Sequence, residues 1–166
     1  SSTITTTGAL AAGAVTGTSF NGIPFFSADT SSIYTTDVSG TDDTASGNSA
    51  YGYQALDAIT TGDDNTAMGF GALTANTTGQ RNVAIGRKAL LANTTANYNI
   101  AVGFEALAAN TTAADNIAIG KSAATANTTG TRNITIGFEA YAASDTENDN
   151  IAIGYQAMTT NTAGGT

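Results

Sequence analysis

From Asn48 onward the apolar and polar positions recur with a period of 17 residues, seven times over, with no insertion or deletion. Each unit opens on an asparagine: Asn48, Asn65, Asn82, Asn99, Asn116, Asn133 and Asn150. A glycine follows four places later, at Gly52, Gly69, Gly86, Gly103, Gly120, Gly137 and Gly154. Between them the side chains alternate, as in Asn116-Ile117-Ala118-Ile119-Gly120, with the isoleucines pointing one way and Ala118 the other. A period of two residues is that of a β-strand. Val83/Ile85, Ile100/Val102, Ile134/Ile136 and Ile151/Ile153 repeat it. Such phasing predicts equivalent turns in a quasi-one-dimensional stack.

The second half of the unit, such as Phe104-Glu105-Ala106-Leu107-Ala108-Ala109, has good helix propensity by itself. Length argues against a helix, because 17 residues with turns at both ends leave barely one or two helical turns. Two strands of about five residues, returned by turns such as Asn76-Thr77-Thr78-Gly79, fill the unit better. The fold class is therefore all-β, a parallel β-roll or β-solenoid with one turn per repeat. Stacked about 4.8 Å apart, seven turns rise roughly 30 to 35 Å. Parallel register brings equivalent residues together, and the place before each strand asparagine reads Asp64, Arg81, Tyr98, Asp115, Arg132, Asp149, never like charge beside like charge. Lys88 and Glu105 repeat the pattern.

The apolar positions then predict a core and an interface. Ile85, Val102, Ile119, Ile136 and Ile153, with Leu73, Leu90 and Leu107, are expected to fill the narrow interior. The alanines between the strand isoleucines would lie outside, as a flat uncharged column buried against another chain. A thin roll has little interior for its surface, so three chains about a common axis are expected.

Residues 1–47 do not follow the repeat and are expected to cap or connect the 48–166 roll. Phe20, Ile23, Phe25 and Phe26 surround the single proline, Pro24, and suit a plug over the first open turn. Ser31 lies one period before Asn48, where a degenerate turn matches poorly.

Composition narrows the chemistry. The 166 residues include no Cys, His or Trp, so no disulfide, the commonest catalytic base and the commonest transition-metal ligand are all excluded. A net charge of −8 with five basic residues disfavours nucleic acid, and no apolar run reaches membrane-spanning length. The expectation is a non-enzymatic protein without catalytic residues, metal or cofactor. Asp42/Asp43 and Asp63/Asp64 read as solvated turn carboxylates. Asn76, Asn93, Asn110, Asn127 and Asn133 match the glycosylation pattern, although four of the five are repeat turns. The threonine pairs from Thr60-Thr61 to Thr128-Thr129 would present regular hydroxyls, which makes an ice-binding solenoid a rival. Tyr53, Phe70, Phe104, Phe138 and Tyr155 share the place after the glycine with Arg87 and Lys121. They are where contact with a glycan is expected, against packing between chains.

The units 116–123 and 150–158 resemble head repeats of trimeric autotransporter adhesins, and the fuller unit Asn65 to Gly79 is similar to shaft repeats of phage and large-virus tail fibres that precede an endosialidase-type chaperone. The resemblance spans Asn48 to Thr166. It implies a trimer of left-handed parallel β-rolls on a virion tail fibre or extracellular surface, gripping a host receptor. The 17-residue unit favours the viral fibre over the bacterial adhesin head.

Overall fold

The computed structural model describes residues 44–159 and the short strand at 33–34. Phe20 to Phe26, Ser31 and Asp42/Asp43 lie outside the described residues. Eight parallel strands form one sheet in chain order: β1 (Ile33–Tyr34), β2 (Ser49–Tyr51), β3 (Thr66–Met68), β4 (Val83–Ile85), β5 (Ile100–Val102), β6 (Ile117–Ile119), β7 (Ile134–Ile136) and β8 (Ile151–Ile153). From β2 onward each residue lies beside the one 17 further on, for example Ala84 beside Ala101. The chain is a β-solenoid, and no helix occurs among the described residues. β1 pairs Ile33 with Ser49, an offset of 16, which is why a strict 17-residue alignment matches poorly there. Ala45 is buried and the Thr44 N–H donates to the Thr60 carbonyl at 3.1 Å, so the stack already includes residues ahead of Asn48.

Counting the strand asparagine as position 1, the second half of each turn is not the second strand expected from its length. It is a pair of tandem turns. The Ala89 N–H donates to Gly86 O at 3.3 Å and the Asn93 N–H to Leu90 O at 3.2 Å. Positions 7 and 9 hold positive φ, as at Lys88 (60°) and Leu90 (50°), which breaks the extended backbone a strand needs. The ladder between turns nevertheless continues around the coil: Lys88 N–H to Phe70 O at 2.9 Å, Leu90 N–H to Ala106 O at 3.0 Å, and Ala92 N–H to Ala108 O at 3.1 Å.

The interior is lined by Ala at positions 3 and 8, Leu at position 9 and Asn at positions 1 and 12. Ala84, Ala89, Leu73, Leu90 and Leu107 are fully buried. The strand alternation holds, but its sense is the reverse of the expected one: the alanines face in. Ile85, Val102, Ile119, Ile136 and Ile153 are not core, and Ile85 and Ile119 are 38% and 39% exposed. With Leu entering from the turn wall, the strand wall has room for little more than a methyl. Thr135, in the alanine column, fits because its hydroxyl donates to Ile117 O at 3.0 Å.

Buried asparagines bind turn to turn. Asn82 Oδ1 accepts both the Asn99 N–H (3.0 Å) and Asn99 Nδ2 (3.3 Å), while Asn82 Nδ2 crosses the interior to Ala96 O at 2.8 Å. Asn93, at position 12, donates to that same carbonyl at 3.2 Å and to Asn76 Oδ1 at 2.8 Å. Where position 12 becomes Ser144, Tyr141 replaces Leu and its hydroxyl takes over, accepting from Asn150 Nδ2 at 2.8 Å.

Two consequences follow for stability, both measurable by denaturant unfolding. Enlarging the inward column with Ala84→Leu overpacks the interior and should cost about 1–3 kcal/mol, and Leu90→Ala should cost about 2–5 kcal/mol. If Ala84→Leu is neutral, the inward sense of the alanines is wrong. Separately, a Cβ at Gly86 (φ +131°) would lie 2.7 Å from the Gly103 carbonyl carbon, whereas at Gly154 the nearest atom is 3.9 Å away. Gly86→Ala should therefore destabilise far more than Gly154→Ala, which carries only the backbone cost.

Candidate functional site

Positions 2 and 4 of every strand point away from the core and make a flat outward face. Position 4 is apolar throughout: Tyr51, Met68, Ile85, Val102, Ile119, Ile136 and Ile153. Position 2 begins polar at Ser49 and Thr66 and is then Val83, Ile100, Ile117, Ile134 and Ile151. Exposure peaks on β8, where Ile151 and Ile153 are each 64% exposed. Isolated exposed apolar residues need no explanation, but a continuous two-column face roughly 30 Å tall does.

Position 6 forms one edge of this face. Register brings Tyr53, Phe70, Arg87, Phe104, Lys121, Phe138 and Tyr155 into a single column, as the sequence indicated. Tyr53 stacks on Phe70 with ring centroids 5.6 Å apart, and Phe138 on Tyr155 at 5.3 Å. The Arg87 guanidinium lies 5.6 Å from the Phe70 ring and 5.4 Å from Phe104, and Lys121 Nζ lies 5.0 Å over Phe138. Neighbours in the column therefore occupy ring faces at Phe70 and Phe138 that a sugar would need, leaving edges outward.

Position 17 forms the other edge. Arg81 Nε lies 3.6 Å from Asp64 Oδ2, and its Nη1 donates to the Tyr98 hydroxyl at 2.8 Å. Arg132 grips Asp149 in bidentate fashion, at 2.6 and 2.9 Å. That hydrogen bonding, with the attraction of opposite charges, holds the Asp149 carboxyl below its ordinary value and raises the Arg132 guanidinium further. Both groups are open to solvent, so the pair fixes geometry more than stability. Lys88 and Glu105 meet at 3.9 Å on position 7.

Other candidates are placed differently. Asn76, Asn93, Asn110, Asn127 and Asn133 are all buried, each with its Nδ2 donating inside the coil although Asn110 Oδ1 and Asn127 Oδ1 accept nothing, so the folded chain offers no glycosylation acceptor at these positions. Sequence reading missed these ladders; Ile59, standing in the column of Asn76 and Asn93, is the signal that this column faces inward. The position 13 hydroxyls donate to the next turn's carbonyl, as Thr60 Oγ1 does to Thr77 O at 3.0 Å, leaving one exposed threonine column rather than a flat lattice. Asp63 accepts the Ser46 N–H at 2.9 Å and its partner Asp64 faces Arg81. Among the described residues no group of three His, Cys, Asp or Glu side chains stands ready to hold a metal.

The sign of the Asp149 shift is testable. A carboxyl held low in the folded state contributes its share of stability above the ordinary carboxylate value, and that share vanishes as pH falls through the folded value. An NMR titration should place the Asp149 midpoint below that of a model peptide, and Arg132→Ala should return it there. An unchanged midpoint in the variant would remove Arg132 as the cause.

No protein-family model, no curated protein and no solved structure matches this chain.

Proposed function

We propose that this chain is a structural, non-enzymatic segment of a homotrimeric fibre, the shaft or receptor-facing part of a viral tail fibre that mediates attachment to a host surface. The observation that carries this reading is the outward Ile/Val face, because the apolar side chains that should fill a core stand outside it. Burying them requires something equally long, straight and apolar, and another copy of the same stack meets that need with the same repeat. The number three and the viral setting come from the resemblance of the repeats. Burial at the axis moves from the alanine column to positions 2 and 4, with the rest of the sequence expectation unchanged. In this reading the mechanism is mechanical: a stiff rod holds its contacts at fixed spacing, and threefold copying multiplies weak contacts into avidity.

Sedimentation or light scattering should give three times the 16.5 kDa chain mass. A charge at the centre of the face, Ile119→Lys, should reduce the particle to single chains. The circular dichroism of the β-stack should persist, because Ile119 lies outside the core. A monomer for the unaltered chain would end the reading.

A further inference from the structure

The outward face has two chemically different edges, and on each a charge that enters no ion pair lies at the height of β6. Arg81, Lys88 and Arg132 each have an ion pair within the chain. The other two basic residues, Arg87 and Lys121, both occupy position 6 and enter no ion pair among the described residues, packing on rings instead. On the position 17 edge, Arg81 and Arg132 take Asp64 and Asp149, and Asp115, which attracts Arg132 of the adjoining turn only at longer range, is left as the carboxylate without an ion pair. Asp115 and Lys121 are both exposed and flank the same strand, β6.

Resting on the oligomeric reading above, we propose that copies associate parallel and level, the position 6 edge of one against the position 17 edge of the next, with Lys121 pairing to Asp115 of the neighbouring copy. Rotation about an axis along the stack keeps height, so a closed parallel ring that turns this face to its axis sets the position 6 edge of each copy beside the position 17 edge of the next. Three of the other heights fit as well. At β5, Phe104 meets Tyr98, two aromatics. At β7, Phe138 meets Arg132, a ring and a guanidinium. At β8, the Tyr155 hydroxyl can donate to Asp149. The β4 height brings Arg87 toward Arg81, but each is already held within its own chain, by Phe70 and Phe104 and by Asp64 and Tyr98. An antiparallel arrangement would instead set an edge against itself, placing Arg87 and Lys121 in a shared seam. This contact gives the aromatic column a use that ring faces already stacked on one another do not obstruct, unlike a sugar platform.

The chain has no cysteine, so introduced thiols report without background. Asp115→Cys, Lys121→Cys and the double variant are treated with a bis-maleimide shorter than the roughly 20 Å across the strand face, then run on a denaturing gel. The double variant should convert nearly completely into a covalent oligomer, and each single variant should stay monomeric. A particle of oligomeric mass in which the double variant fails to link, or in which Lys121→Cys links to itself, overturns the edge pairing while leaving the oligomer intact. A monomeric mass for the unaltered chain overturns both.

Discussion

Everything in this stack depends on the buried asparagine that begins each turn. From Asn48 to Asn133 its Oδ1 accepts the backbone N–H of the next asparagine, joined in every case but Asn99 by that residue's Nδ2, and its own Nδ2 reaches across the interior to close its turn, as Asn65 does to Gly79 O at 2.8 Å. A buried amide that loses such partners costs about 1–3 kcal/mol, and slipping the register by one residue would strand every amide in the column at once. The 17-residue period is therefore held by polar geometry inside the coil as well as by the backbone ladder. The same requirement keeps the coil thin, since an amide must span from strand wall to turn wall.

That thinness explains which parts of the fold were legible in the sequence. The period, the strands at positions 2 to 4 and the opposite charges of Arg132 and Asp149 could be read directly, because each depends on repetition or on two-residue alternation. The sense of the alternation could not. Ile85 and Ala84 satisfy a strand equally well with either side inward, and the ordinary preference for burying the larger residue chose Ile85. The interior was already filled by Leu90 from the facing wall, and that facing wall was misread as a strand. A clue was present in Ile59 among the asparagines, whereas Thr135 among the alanines points the other way and is tolerated because its hydroxyl finds a carbonyl. For the outward face, position 6 and position 17 were legible as columns, whereas the stacking of rings along the axis depends on spacing that only the folded coil supplies.

The backbone shows a second cost of building so narrow a coil. Positions 7, 9 and 17 hold non-glycine residues at positive φ in turn after turn, among them Leu73 at 52°, Glu105 at 55° and Arg132 at 57°. Each such residue carries of order 1–3 kcal/mol of local strain. The compensating bonds run between turns: Arg81 N–H to Asp63 O at 3.0 Å and Leu107 N–H to Ala123 O at 3.0 Å join the strained residues to the neighbours below and above. A lone turn would lose both, so the conformation is sustained only by stacking.

The same logic extends sideways. A coil whose strand wall accepts little more than methyl groups cannot bury its strand isoleucines, yet β-branched residues suit the pleated, half-buried face that most of these strands present. Those side chains are consequently displaced to the surface in two straight columns, and their exposure rises to its maximum at β8, where no further described turn covers them. The constraint that stiffens the coil along its axis thus also creates the outward apolar face, so that a change that widened the interior enough to admit the strand isoleucines would weaken the asparagine ladder and remove that face together.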